Sequence, residues 1–121
     1  MKIYTSYYAK IKKIPQDMFL ISIAGKCPDF YHGQEYKILA PKWSFFKIWK
    51  ENHDNDFYIK HFDEEVLSKL DPHQVVNDFY FLSGGKDVVL LCYEKSNDFC
   101  HRHLVADWLK KAGYECKELE I

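Results

Sequence analysis

Residues 87–92 form the segment that most constrains the fold, because Asp87 is followed by five apolar residues without a break, Val88–Cys92. Such a run is typical of a strand buried on both faces of a sheet. An amphipathic helical pattern over 104–109 follows and ends near Gly113, and residues 114–121 can supply a closing strand. Strand, helix and strand in this order predict a βαβ unit and a parallel sheet. We therefore predict an α/β fold with three layers, a mostly parallel central sheet and helices on both faces, as a single domain over residues 1–121.

Local signals place the other elements. A strand is predicted at 3–7, which mixes β-branched and aromatic residues, and another at 18–24, which is nearly all apolar. Three more helices are predicted from their start signals. These signals are Pro41, Asp54 or Asn55 as an N-cap, and Asp71 as an N-cap before Pro72, with the last helix ending at 83–85.

Charge and hydropathy narrow the class of protein. The 17 basic and 18 acidic residues give a net charge of −1, which argues against a general nucleic-acid clamp or a polybasic membrane binder. No apolar run approaches the roughly 18 residues that cross a bilayer, and the N-terminus lacks a signal-peptide core. We therefore expect a cytoplasmic protein with no membrane partner. In a reducing compartment its four cysteines are expected to be free thiols.

The chemistry is predicted to lie just after the buried strand, because ligands bind outside the carboxyl ends of the strands in open α/β sheets. Cys92 and Glu94 stand at the strand's end, and Cys100 stands at the start of the next helix. Glu94 is a candidate general base or nucleophile, Cys100 is the alternative nucleophile, and His101 could carry the proton.

Arg102 is the candidate anion-binding residue. It is the only arginine beside 16 lysines, and it falls in the first turn of the predicted helix. Its planar fork suits phosphate or carboxylate in a way that lysine does not. The alternative is a structural ion pair with an acid such as Glu94 or Asp98. Cys92 is the further candidate for ligand contact in this segment, although a free cysteine at a strand's end commonly packs as a hydrophobe.

Additional ligand-contacting candidates come from the first part of the chain, if its two strands neighbour the strand that ends at Cys92. Each also has a structural explanation, namely core packing for the aromatic rings and a solvated surface for the lysines. The candidates are Tyr4, Ser6, Tyr7, Ser22, Lys26, Tyr36, Lys42 and Trp43.

Known cofactor motifs do not occur in the sequence. It contains no GxSxG, GxGxxG or GxxxxGK[ST] pattern. Cys92, Cys100 and His101 or His103 could offer three metal ligands, but adjacent Cys and His rarely reach one ion and no CxxC spacing is present. The sequence therefore predicts neither a metal nor a cofactor.

Three stretches resemble a known family: residues 3–9, 39–43, and 90–95 running to 99–109. They are similar to the small bacterial, archaeal and phage proteins of domain-of-unknown-function family 488. The specific part is a Cys92-x-Glu94 pair followed by Cys100-His101-Arg102. The resemblance implies a compact α/β fold, a cytoplasmic setting and these five residues as the place to look for a site. Tyr93 stands where many relatives have alanine, so its ring is expected to shape the pocket.

Two functions follow from these residues. The first is a small enzyme, a hydrolase or a transferase, acting on an anionic substrate such as a nucleotide, a nucleic-acid end or another phosphorylated molecule. The alternative is a non-catalytic module that binds a nucleotide or nucleic acid. Interleaved lysines and aromatic residues over 7–13 and at 42–43 could then stack on a single strand. The sequence does not predict the oligomeric state.

Overall fold

The computed structural model describes residues 1–95 and 98–121. Ser96 and Asn97, which belong to the predicted site segment, lie outside the described residues. The strands are β1 (Ile3–Tyr7), β2 (Phe19–Ser22), β3 (Gln34–Glu35), β4 (Val88–Cys92) and β5 (Cys116–Glu118). The α-helices are α1 (Trp43–Asn52), α2 (Asn55–Glu65), α3 (Pro72–Ser83) and α4 (His101–Lys111). Short 3-10 helices occupy Tyr8–Lys13, Lys37–Leu39 and Leu67–Lys69.

The five strands form one sheet in the order β3-β2-β4-β1-β5, and every neighbouring pair is parallel. β4 lies at the centre and is buried along its whole length, as its uninterrupted apolar sequence predicted. Successive β4 side chains alternate between two cores, because strand side chains point to opposite faces. Val88 and Leu90 join one core, while Val89 and Leu91 join the other. The predicted α/β fold with a parallel sheet is confirmed.

The two faces of the sheet are covered differently. All four α-helices contribute to the core that contains Val88 and Leu90. The core on the opposite face contains Tyr8 from the first 3-10 helix, together with Ile14 and Tyr31 from the loops around β2. The third layer of the predicted arrangement therefore consists here of 3-10 helix and loop rather than α-helix.

Helix starts follow the local capping signals. The Asp54 side chain accepts a hydrogen bond from the Phe57 amide (3.2 Å), and Asp71 accepts one from His73 (2.9 Å). Both carboxylates satisfy amides that have no partner inside the helix. Gly84 ends α3 with φ 67°, a left-handed conformation that glycine adopts without steric cost. The predicted strand at 18–24 is shorter in the structure, and the two-residue β3 was not predicted.

This topology brings the ends of three strands to one edge. Tyr7 of β1 pairs with Cys92 of β4, and Ser22 of β2 pairs with Leu91. The chain leaves β4 at this edge and returns into α4 at His101. The predicted site segment therefore lies where the parallel sheet places ligand crevices. Within residues 1–95 and 98–121, none of the helices combines the length and apolar character needed to cross a membrane.

Candidate active site

A cavity of about 530 Å³ opens at the carboxyl edge of the sheet. Three segments build it: the turn after β2, one side of α1 and the end of β4, with His101 of α4 at its border. Its walls are mainly aromatic and apolar, and Lys26 and Lys50 are its cations. The lining residues are Ala24, Gly25, Lys26, Pro41, Trp43, Phe46, Trp49, Lys50, Cys92, Tyr93, Glu94 and His101.

Glu94 is the carboxyl group of this cavity. It lies two residues beyond the end of β4 and is partly buried. Burial is the main cause that raises the pKa of its carboxyl above the ordinary value, and Asp98 acts in the same direction. The positive charge of Arg102 opposes this rise. A carboxyl with a raised pKa beside an open cavity is suited to exchanging protons with a substrate.

Arg102 is fully buried, at 0% exposure, and it does not line the cavity. Its Nε and Nη2 donate to the two carboxylate oxygens of Glu118 at 3.1 and 3.0 Å. Its Nη1 donates to the Glu94 carbonyl oxygen (2.6 Å) and to Cys92 Sγ (3.1 Å). The guanidinium also lies over the ring of Tyr7. The predicted role in binding an anionic ligand does not fit this placement, because the fork is already filled by the protein's own acceptors.

Cys92 and Cys100 are brought together by the end of β4 and the N-cap of α4, and their sulfur atoms are joined in a disulfide. Both residues are buried. The expectation of four free thiols is therefore wrong for this pair, whereas Cys27 and Cys116 are free. A bonded sulfur is not a nucleophile, so Cys100 in this state does not fill the predicted catalytic role.

His101 is the first residue of α4 and is buried. Its Nε2 donates to the Ile23 carbonyl oxygen at 2.7 Å, which leaves Nδ1 unprotonated and 3.9 Å from Cys100 Sγ. Burial is the main cause that lowers the pKa of His101 to about 4; the charges of Arg102 and His103 act in the same direction, and the hydrogen bond to Ile23 opposes them. The imidazole is therefore neutral near pH 7 and presents a lone pair towards the cysteine pair.

Some of the candidates from the first part of the chain line the cavity, and the others do not. Trp43 lines the cavity, and its ring stacks on Phe46. Lys42 is the exposed residue that precedes α1 and does not line the cavity. Ser22 is buried and hydrogen bonds with Tyr8 and Cys27 rather than facing the cavity.

Tyr4 lies outside the cavity as well, because it packs against the core of the opposite face. It borders a different, small pocket with Lys2 and Glu115. Its residue type gave no sign of which side of β1 it would occupy. Of the early-chain candidates, Trp43 and Lys26 line the cavity.

Sequence reasoning missed much of the α1 wall as a site. Phe46 and Trp49 follow Trp43 at intervals of three residues, a helical stripe that is also typical of core packing. Lys50 adds a cation to the same wall. Tyr93 was expected to shape the pocket, and it does line the cavity, with its hydroxyl donating to the Lys26 carbonyl oxygen.

Glu94 and His101 connect this cavity to a smaller one. They line both, and the smaller cavity also borders Cys100, Tyr58 and Phe99. The carboxyl, the imidazole and both sulfurs of the signature are therefore close to one recess. Such an arrangement can stack a flat ring on α1, hold an anion with lysine and exchange a proton through Glu94.

A family model described as the active DUF488-N3 subclade, DUF488-N3a, matches residues 12–113. No curated protein and no solved structure matches the chain. The matched range contains α1, β4 and the whole Cys92-to-Arg102 segment, and it covers most of the sequence. The chain belongs to the DUF488 family.

Proposed function

We propose that the protein is an enzyme acting on a nucleotide or a nucleic-acid end, which it binds in the cavity between α1 and the end of β4. The observation that carries the proposal is the position of Glu94, a partly buried carboxyl on the wall of an aromatic cavity at the carboxyl edge of a parallel sheet. The matched family model is described as an active subclade, which is consistent with catalysis.

The walls support the substrate class. Trp43, Phe46, Trp49 and Tyr93 offer ring faces on which a nucleobase can stack. Lys26 and Lys50 supply positive charge for a phosphate. These two lysines, rather than Arg102 as predicted from the sequence, are proposed to bind the anion.

Glu94 is proposed as the general base and acid of a hydrolysis. Its carboxylate takes a proton from a water molecule while the water oxygen bonds to the electrophilic atom of the substrate. The bond to the leaving group then breaks with its electron pair, and Glu94 returns the proton to that group. A transferase would use an acceptor hydroxyl in place of water.

Arg102 is a positioning residue in this proposal. By donating to the Glu94 carbonyl oxygen while bound to Glu118, it fixes the backbone that carries the carboxyl. Orientation of this kind contributes to rate without contact between the positioning residue and the substrate.

The test combines binding and turnover. The four ribonucleoside 5′-monophosphates and a short single-stranded oligonucleotide are titrated by calorimetry, and products are followed by mass spectrometry. We expect binding of at least one probe and turnover that falls about 10²–10⁴-fold in Glu94→Gln while binding persists. Glu51→Gln, on the exposed surface of α1, is the matched control. Turnover that is equal in Glu94→Gln and the wild type would contradict the role of Glu94.

A non-catalytic binding module is the second candidate. It is favoured by the disulfide between Cys92 and Cys100, because the bonded Cys100 sulfur cannot act as a nucleophile. Such a module would use the cavity rather than the predicted strip at 7–13. There Tyr8 is buried and the Tyr7 ring contacts the Arg102 guanidinium. Binding without turnover in the wild type would select this candidate. We also propose a cytoplasmic location, in which Cys27 and Cys116 stay free and the Cys92–Cys100 pair would be reduced.

A further inference from the structure

We propose that Cys92, Cys100 and His101 bind a zinc ion when the two cysteines are reduced, at the border of the cavity. No metal was predicted from the sequence, since adjacent Cys and His rarely reach one ion. The structure brings the three side chains together: one ligand atom from each lies within 4.8 Å of the others, and all three residues are buried. Two thiolates and one imidazole form a donor set that binds zinc in preference to hard cations.

The spacing of the two cysteines is suited to an ion between them. Their Cα atoms are 7.4 Å apart, wider than the usual range for a disulfide, which ends at about 6.8 Å. A zinc ion contacts each thiolate at about 2.3 Å, so the two sulfurs sit on either side of the metal. Two cysteines joined through a zinc ion can therefore have Cα atoms farther apart than two cysteines joined by a disulfide.

His101 is already oriented as a ligand. Its Nε2 donates to the Ile23 carbonyl oxygen at 2.7 Å, and its Nδ1 faces Cys100 Sγ. Zinc-binding histidines commonly donate their other ring N–H to a backbone carbonyl or a carboxylate, which fixes both tautomer and orientation. The Ile23 carbonyl provides that outer partner here.

The surrounding charges also suit the ion. Arg102 Nη1 donates to Cys92 Sγ at 3.1 Å, which supports a thiolate, and Glu118 compensates the arginine charge. Two buried thiolates without a cation would be costly, whereas a divalent ion neutralises them. The reduced site is therefore electrically balanced when it holds zinc.

The three protein ligands leave a fourth zinc position for water or substrate, as in catalytic zinc sites. Cys92 and His101 line the cavity, so the ion would border the space that the substrate occupies. This step rests on the proposed function. Water bound to zinc would lose its proton to Glu94, and its oxygen would attack the substrate while the leaving group takes the electron pair and then the proton.

The experiment titrates Co²⁺ and then Zn²⁺ into the full chain, reduced with a phosphine and freed of metal by a chelator. We expect one equivalent of Co²⁺ with a thiolate-to-cobalt charge-transfer band, and displacement of Co²⁺ by Zn²⁺. Cys92→Ala and Cys100→Ala should lose the band and weaken zinc binding more than about 100-fold. This exceeds the roughly 10–100-fold loss expected when a group that only hydrogen bonds to a metal ligand is removed. Cys116→Ala, which removes a buried free thiol outside the cluster, should keep both.

A second measurement needs no variant. Alkylation of the reduced wild type, mapped by mass spectrometry, should show that zinc protects Cys92 and Cys100 but not Cys27. Failure of the reduced protein to bind zinc, or equal alkylation with and without zinc, would overturn the site. Tighter binding of iron or copper than of zinc would overturn the choice of metal. If the protein binds nucleotide but not zinc, the proposed function stands and the zinc site is overturned. If it binds zinc but no nucleotide, the zinc site stands and the proposed function is overturned.

Discussion

Arg102 and Glu118 form a two-point ion pair that joins the first turn of α4 to β5, with Nε–Oε1 at 3.1 Å and Nη2–Oε2 at 3.0 Å. The same carboxylate accepts a hydrogen bond from the Thr5 hydroxyl of β1 at 2.6 Å. The arginine's remaining hydrogen bonds reach Cys92 and the Glu94 backbone. One buried guanidinium thus connects the sheet edge, the helix start and the backbone of the candidate catalytic carboxyl.

Glu118→Ala should lower the free energy of unfolding by about 3 kcal/mol, because it leaves the buried Arg102 charge without a counter-charge. Arg102→Lys should also destabilise, since lysine keeps the charge but cannot donate in a fork. Urea unfolding at neutral pH measures both. Glu120→Ala, an exposed change beyond β5, is the control, and equal midpoints for Glu118→Ala and Glu120→Ala would show that the pair contributes nothing.

Trp43→Ala should weaken nucleotide binding while leaving the fold stable. The side chain is 65% exposed, so its loss should change stability by less than about 0.5 kcal/mol. Loss of a stacking ring costs about 1–3 kcal/mol of binding, or roughly 5–150-fold in affinity. Calorimetry with the nucleotide probe measures this. Phe81→Ala removes a ring that is 88% exposed on α3 and should bind normally. Unchanged affinity in Trp43→Ala would remove this ring from the binding wall.

Cys116 should make the fold sensitive to alkaline pH. Burial raises the pKa of its thiol from 9.0 to about 11, with Lys110 opposing the rise and Asp107 and Glu118 adding to it. The folded state keeps this proton longer than the unfolded state, so stability is intact below about pH 9 and falls as the pH rises towards 11. The loss should reach about 1 kcal/mol near pH 10.

Cys116→Ala should remove that part of the pH dependence, although the variant is less stable overall because a core side chain is truncated. The measurement is urea unfolding of wild type and variant between about pH 7 and pH 10. Other alkaline groups, including the buried tyrosines, titrate in both proteins and cancel in the difference. Curves that stay parallel across this range would contradict the assignment.

Asp71→Ala should destabilise the protein by about 1 kcal/mol, because the His73 amide loses its cap. Asp63→Ala, an exposed position inside α2, should have a smaller effect. Chemical denaturation of the two variants in parallel makes the comparison. A loss in Asp71→Ala no larger than in Asp63→Ala would mean that solvent replaces the cap.

Elements with local signals were predictable from the sequence. The apolar run of β4, the caps Asp54 and Asp71, and the left-handed Gly84 each depend on a few neighbouring residues. The position of the candidate site at the carboxyl edge was predicted from the parallel sheet alone. The two-residue β3 is too short to produce a pattern, which explains why it was not predicted.

The partners inside the site depend on distant parts of the chain. Arg102 was predicted to bind an anionic ligand, or alternatively to pair with an acid such as Glu94 or Asp98, but its acceptor is Glu118, which lies 16 residues away on β5. The stripe of Trp43, Phe46 and Trp49 has the same period whether it faces a core or a cavity. The meeting of Cys92 with Cys100 depends on the path between β4 and α4, for which the spacing gives no rule.

The strand order has a consequence for biosynthesis. β1 pairs with β4 and β5, so its first strand partner in the chain begins at Val88. A ribosome that has made β1 must therefore add about 80 residues before that strand can be paired. During this interval a strand segment with open backbone groups is available to chaperones or to another nascent chain. Growth temperature and translation speed should therefore affect the yield of folded protein more than they affect the stability of the finished molecule.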